Sequence, residues 1–304
     1  MRPVIIGTRG SSLAMCQAQI VQTKLEERFP KRRFRLQTIK AQADKSPELS
    51  LTAMSGEGVF VKELEAALLD ERIDLAVHSM KDLPLDLPST LRIAAVLERE
   101  ESRDAVVSRL GVGVNQLPSG SRIGTSSLRR RSQLLHQRRD LQVLEIRGNV
   151  DTRLRKLDEG QYDAILLAAC GLIRLGLEER ITEYLDFSEM LPEPGQGALA
   201  VETRADDQDM RGMAGSLEHP ESRACIEAER AFLRALGGGC RVPIAAYAAC
   251  ASGILELEGA VIAADGRDEL RGHGSGPMTE PVAIGEDLAS SLAAQGARTL
   301  LASS

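Results

Sequence analysis

The residues best suited to chemistry are arginines at two glycine-containing turns. Gly124-Thr125-Ser126-Ser127-Leu128-Arg129-Arg130-Arg131 reads as a strand turning into a helix. It offers a serine N-cap and free backbone N–H groups at a strand's carboxyl end, where open α/β sheets bind ligands. The helix dipole favours carboxylates in a first turn, so Arg129 and Arg130 stand there against it, which suits an anion site better than a helix start. The other reading is a solvated basic face. Glu145-Ile146-Arg147-Gly148-Asn149-Val150-Asp151-Thr152-Arg153-Leu154 repeats the design: strand, glycine turn, Asn149 as cap, and Arg147 and Arg153 at either end. Arginine's planar fork matches carboxylate or phosphate in a bidentate way. Alone, this segment is equally a salt-bridged surface. With the first turn, and with Arg9 just after the first strand, it forms a set able to grip a substrate bearing several negative charges.

Two further segments carry reactive groups. Val77-His78-Ser79-Met80-Lys81-Asp82-Leu83-Pro84 ends a buried-looking strand with a polar run. There Asp82 either serves as a general acid/base and stabilises a cationic intermediate, or satisfies loop N–H groups ahead of Pro84. His78 reads as a packed strand residue. Gly237-Gly238-Gly239-Cys240-Arg241-Val242-Pro243 presents a cysteine with little bulk around it and a cation that favours thiolate. A linker with an incidental thiol is the alternative.

The elements that must position these groups follow from hydrophobic spacing. Val4 to Thr8 is a strand, and Leu13, Cys16, Ile20, Val21 and Leu25 recur at helical spacing until Phe29-Pro30. Phe34 to Ala41 is a second strand, Val59 to Glu71 a helix and Ile73 to His78 a third strand, which is βαβ punctuation for a mainly parallel sheet. The pattern then restarts. Ile6-Gly7-Thr8 with Ser11-Ser12-Leu13 is echoed by Ile123 to Leu128, and the stretch from Leu69 to Ala76 by that from Leu157 to Ala164. Two similar α/β lobes around a cleft, itself the natural ligand site, are the expectation. Lobe 1 takes 1–97 and 198–215, lobe 2 takes 103–191, and 219–304 forms a small α+β C-terminal domain. That domain holds a helix from Pro220 to Leu236, two or three strands between Ile244 and Arg271, and a closing helix from Pro281 to Gln295.

Composition excludes several classes. A formal charge of -6 argues against nucleic acid or an anionic membrane as a general partner. Met1 to Gly7 holds too short an apolar run for a secretory signal or a membrane span, which places the chain in the cytoplasm. Five cysteines without a CxxC pair speak against a disulfide framework and a structural zinc site, and no metal is expected. A two-lobed solute-binding protein or effector sensor would explain lobes and arginines, but it predicts an export signal or a helix-turn-helix and leaves Cys240 idle. A phosphoryl-transfer enzyme lacks its GxxxxGK[ST] loop.

Taken together, Thr8-Arg9, Gly58 to Glu65, His78-Ser79-Met80-Lys81-Asp82, Gly124 to Arg130, Arg147-Gly148-Asn149-Val150, Pro194-Gly195-Gln196-Gly197-Ala198 and Gly238-Gly239-Cys240 closely resemble the porphobilinogen deaminase (hydroxymethylbilane synthase) family of tetrapyrrole and haem biosynthesis. The resemblance runs along essentially the whole chain. It implies two lobes like those of type II periplasmic binding proteins plus a third domain, and a dipyrromethane cofactor on Cys240 through a thioether. It further implies a transferase that condenses four porphobilinogen units, with loss of ammonia, and releases hydroxymethylbilane by hydrolysis. Because each pyrrole bears acetate and propionate, the chain grows to roughly six rings and about a dozen carboxylates, for which a row of guanidiniums is the physical answer. By similarity Asp82 assists deamination, and Arg9, Arg147 and Arg174 belong to the substrate and catalytic side. Lys81, Ser127, Arg129, Arg130, Asn149 and Arg153 bind cofactor and substrate, with Gln196 and Asp44 carried over on looser matches. The family also implies a monomer, with a transient contact to the next pathway enzyme. One departure stands out: many relatives read Gly-Lys-Gly where this chain has Gly56-Glu57-Gly58, and Ala53 replaces a nearby lysine.

Overall fold

The structure, a computed structural model, describes residues 2–39, 61–238 and 242–302. Asp44, Ala53, Glu57 and Cys240 lie outside the described residues. In chain order the elements are β1 (Val4–Thr8), α1 (Ser12–Arg28), β2 (Phe34–Thr38), α2 (Lys62–Leu69), β3 (Leu75–Ser79), β4 (Leu91–Val96), β5 (Asp104–Ser108) and β6 (Arg122–Gly124). Then come α3 (Leu128–Gln137), β7 (Gln142–Leu144), α4 (Val150–Asp158), β8 (Ala164–Ala168), α5 (Ala169–Arg174), β9 (Glu183–Tyr184), β10 (Leu199–Arg204) and α6 (Gln208–Gly215). The chain closes with α7 (Pro220–Ala235), β11 (Ile244–Ala251), β12 (Ile254–Ile262), β13 (Glu269–Pro277), α8 (Pro281–Ala294) and α9 (Ala297–Ala302). Two compact units result: Met1–Arg99 with Ala198–Arg223, and Glu100–Gly197 with Ala224–Ser304.

The first unit is built on a sheet of order β2-β1-β3-β10-β4. β1 runs parallel to β2 and β3, while β10 is antiparallel to both β3 and β4, so one reversed strand interrupts an otherwise parallel sheet. Both faces are covered. Ala18, Val21 and Leu25 of α1 pack with Met210 and Met213 of α6 on one side, and Leu64, Ala67 and Leu68 of α2 pack with Ile73 on the other. Ser11 caps α1 by accepting from Ala14 N, and Pro30, which has no N–H, follows the helix end at Phe29.

In the second unit a sheet of order β7-β6-β8-β5-β9 repeats that arrangement, with β5 the reversed strand. Its third sheet, β11-β12-β13, is wholly antiparallel, and the last strand runs beyond Arg271 to Pro277. Cys225, Ala228 and Phe232 of α7 pack on that sheet together with Leu288 and Leu292 of α8. Glu229, on the same α7, is fully buried, and its carboxylate accepts from Gly195 N at 2.7 Å and Ala248 N at 2.8 Å. The fold is thus mixed α/β, with two five-stranded sheets of like strand order and a small α+β portion.

The internal echo has a structural register one residue away from its sequence match. Leu68 to Asp74 corresponds to Leu157 to Asp163. Glu71 N and Gly160 N each bond back to Leu68 O and Leu157 O, and both residues have positive φ, 55° and 75°. Asp74 then accepts from Ile5 N at 2.8 Å, as Asp163 does from Arg122 N at 2.8 Å. In each unit a carboxylate therefore fastens the start of the third parallel strand to the start of the first. Gly7 and Gly124 occupy the same place two residues along the first strand, where a Cβ would run into Ile73 and into Ile165 and Tyr162 respectively.

Candidate active site

The second unit gathers charge at one end of its sheet. β5 opens on Asp104, and antiparallel pairing sets it opposite Ala168, the last residue of β8, at the carboxyl ends of the parallel strands. The N-terminus of α3 starts from the same end, because β6 stops at Gly124 and Ser127 caps the helix by accepting from Arg130 N at 3.4 Å. Arg129 and Arg130 both turn onto Asp104. Arg129 Nη1 donates to Asp104 Oδ2 at 2.6 Å and to Leu191 O at 2.7 Å. Arg130 donates to Asp104 Oδ1 through Nε at 3.0 Å and Nη2 at 2.7 Å. Gln196 Nε2 donates to the same Oδ1 and to Ser102 O, both at 2.8 Å.

All four side chains are buried, so these interactions act in a poorly screened environment. Burial alone would oppose ionisation of Asp104, but the charges and hydrogen bonds of Arg129 and Arg130 outweigh it and hold the carboxyl well below the ordinary carboxylate range. Burial also works against Arg130, whose proton is nonetheless held more tightly than usual by Asp104. Arg153, on the first turn of α4, is in the reverse position: burial first, and the charge of Arg130 second, pull its guanidinium below the usual value. Arg153 donates through Nε to Gly148 O at 2.9 Å and forms no ion pair among the described residues. Arg129 keeps two buried donors, Nε and Nη2, without a hydrogen-bond partner among the described residues. Two guanidiniums thus share the Asp104 carboxylate, with Arg153 near enough to feel the charge of Arg130, and donors of Arg129 are left over.

Other expected residues are placed more loosely. Arg174, at the end of α5, donates to Gly197 O at 2.6 Å, next in the chain to Gln196. Arg147 is exposed and pairs with Glu145 at 2.7 Å, a contact weak enough to exchange for a ligand. Asn149 caps α4 by accepting from Thr152 N at 3.0 Å, so its oxygen is engaged while its amide donors are not used by the cap. In the first unit Arg9 follows β1, and Lys81 and Asp82 share one 3-10 turn, Met80–Asp82, directly after β3. Met80 N bonds to Ala198 O, and Gln17 donates to Ser79 Oγ at 2.9 Å, so the strand end that presents Asp82 is tied on two sides. Asp82 itself is exposed.

Sequence reasoning missed Asp104, the hub of the cluster. The signal was a charged residue opening the apolar run Ala105-Val106-Val107, where an unpaired carboxylate would not survive. It also missed Glu202, fully buried, whose Oε2 lies 2.9 Å from Nε2 of the packed His78.

A doubled α/β frame with a buried guanidinium surplus at the carboxyl ends of one sheet defines a class: a protein that takes up a multiply charged anion. Residues 4–212 match the family model for porphobilinogen deaminase, dipyromethane cofactor binding domain, and residues 223–294 match the model for its C-terminal domain. A porphobilinogen deaminase of Pelobacter propionicus is 47% identical over 300 residues, covering 99% of this chain and 96% of that one. Another, of Thermus thermophilus, is 46% identical over 303 residues and covers 99% of each. The chain belongs to the porphobilinogen deaminase family, a family of transferases of tetrapyrrole biosynthesis.

Proposed function

We propose that this chain condenses four porphobilinogen units stepwise, releasing ammonia at each step and hydroxymethylbilane at the end. The observation that carries the reading is the Asp104 cluster, because its positive charge and the Arg129 donors, unpartnered among the described residues, suit carboxylates. These groups fit a dipyrromethane, whose acetates and propionates Arg129, Arg130, Arg153, Lys81 and Ser127 would hold. Bound through Cys240, that group supplies the nucleophilic pyrrole carbon to which units are added.

The chain's own residues do the rest. Asp104 holds Arg129 and Arg130 aimed before any ligand arrives, so little reorganisation is needed on binding. Arg153 gains most from an anion, since a carboxylate would relieve both its desolvation and its repulsion from Arg130. Arg147, Arg174 and Arg9 receive the carboxylates of the incoming unit, with Asn149, Gln196 and Asp44 in supporting contacts. Asp82, exposed on its short turn, sits where a carboxylate can take a pyrrole N–H bond and balance positive charge as the amine leaves.

The same reading has a monomer acting in the cytoplasm on a small molecule, away from nucleic acid and membrane, with a transient contact to the next pathway enzyme. The net charge of -6 supports it, as does the finding that no helix among the described residues is long and apolar enough to cross a membrane. It also divides the chain into 1–97 with 198–215, 103–191 and 219–304, which the three separate sheets support.

The deciding experiment is the intact mass of the denatured, active protein. An excess of two pyrrole units, absent from Cys240→Ala, is expected. Active protein of unmodified mass would remove the covalent cofactor from the account.

A further inference from the structure

Away from the strand end that carries Asp82, the first unit has a cleft that the reaction does not use. β10 runs back from Leu199, opposite Ser79 at the end of β3, to Thr203, opposite Arg92 of the edge strand β4. Four residues at about 3.3 Å each put Arg92 roughly 13 Å along the sheet from that end. β4 has one residue more than β10 here: Val201 faces Ala95 and Glu202 faces Ile93, so Ala94 is the extra residue of a bulge. Alternation puts Arg92 and Ala94 on one face of β4. That face is the one α6 covers, since Ala94 packs against the core that Met210 and Met213 help to form. On α6, Gln208, Arg211 and Gly212 recur at i, i+3 and i+4 and share one stripe. Between the two elements these five residues line a cleft of about 390 Å³, a volume in the range of small-molecule sites.

The cleft is kept open, and its charge is uncompensated. A Cβ on Gly212 would meet nothing within 4 Å, and this glycine is not among those with positive φ, so its missing side chain leaves space that another residue would fill. Arg92 forms no hydrogen bond or ion pair among the described residues, and Arg211 uses only Nη1, on Ala205 O at 3.1 Å. The carboxylates beside α6 are spent elsewhere: Asp207 pairs with Arg204 at 2.7 Å and Asp209 with Arg32 at 2.6 Å. Asp206 is exposed and outside the lining. Two guanidiniums on one cleft without a carboxylate repel each other, and a doubly charged anion relieves that while matching their planar donors.

We propose that this cleft binds a small organic dianion, held by Arg92 and Arg211 with the Gln208 amide as a neutral contact. Dicarboxylates and phosphate monoesters share the required chemistry, two negative charges on oxygens that accept paired N–H bonds. A bare inorganic anion would leave most of the volume empty, so the charged group carries a short carbon skeleton over Ala94 and Gly212. The site is independent of whether Asp82 reacts, because it contains none of the groups assigned to porphobilinogen or dipyrromethane.

The test is the thermal midpoint of the holoenzyme titrated with succinate and, separately, with glycerol 3-phosphate. A ligand that binds only the folded chain raises the midpoint once its concentration passes the dissociation constant. A saturable rise with at least one probe is expected, and the probe that acts distinguishes dicarboxylate from phosphate monoester. Arg92→Ala, Arg211→Ala and Gly212→Glu should each weaken the apparent affinity by at least about tenfold, the last by placing its own carboxylate in the cleft. Turnover of the three variants without either probe should stay at the wild-type value, which also shows that they fold. No saturable rise with either probe overturns the proposal. So does a rise that Arg92→Ala and Gly212→Glu leave unchanged, which would place the anion among the arginines around Asp104 instead.

Discussion

The two five-stranded sheets share their strand order, their one reversed strand and the aspartate that fastens the third parallel strand to the first, yet their carboxyl ends are chemically opposite. In the second unit the reversed strand begins with Asp104, and the helix after β6 brings Arg129 and Arg130 onto it, with Arg153 beside them. In the first unit Leu199 holds the place of Asp104, and the buried acid is Glu202, three residues further along the strand, bonded to a histidine. The positive end suits the holding of carboxylates. The other unit puts an exposed carboxylate, Asp82, on a turn tied down by its neighbours. One frame is used twice with different end-facing side chains, because the frame depends on apolar spacing and backbone bonds while those side chains vary freely; in the proposed function this separates grip from chemistry.

The most severe test of this division is Asp82→Asn. It should lower kcat by about 10²–10⁴-fold with an unchanged unfolding midpoint, and near-normal turnover would break the contrast between the units. Asp104→Ala comes next. Removing the carboxylate that pairs with Arg129 and Arg130 should cost about 3–5 kcal/mol in denaturant unfolding. In the wild type that contribution is present above the ordinary aspartate value of 3.8 and is lost only as pH falls through the depressed folded value. A loss under about 1 kcal/mol would mean that the arginines find other partners. Arg153→Leu sharpens the point. Relieved of repulsion from Arg130, the apo variant should match or exceed wild type in thermal stability while retaining cofactor and enzyme-bound intermediates poorly, as native mass spectrometry would show. A clear drop in apo stability would make Arg153 structural. Arg147→Leu, an exposed position, should leave stability alone and stall elongation. The smallest effect tests the frame: Glu71→Gly relieves a positive φ that Gly160 already accommodates in the other unit, and should stabilise by about 0.5 kcal/mol. Destabilisation would show that the two turns are not equivalent.

Much of this was legible in the chain, because it depends on neighbours in sequence. The apolar spacing from Leu13 to Leu25 marks α1, Pro30 its end, and Ser127 and Asn149 cap the helices they precede. The Ile-Gly-Thr echo exposed the doubling, since a glycine is needed wherever the strand packs this closely on its neighbours. Arg129, Arg130 and Arg153 stood out because they oppose the dipole or flank a glycine turn. What the chain could not reveal lies in long-range pairing. Asp104 and Arg129 are 25 residues apart and Gln196 is 92 from Asp104, and only the sheet's register makes them one cluster. His78 and Glu202 stand 124 apart and meet because β10 returns antiparallel beside β3. Local periodicity fixes which face of an element is apolar and so determines elements and turns. Which charges then share a buried volume is decided by strand order, and burial is what converts those charges into a site.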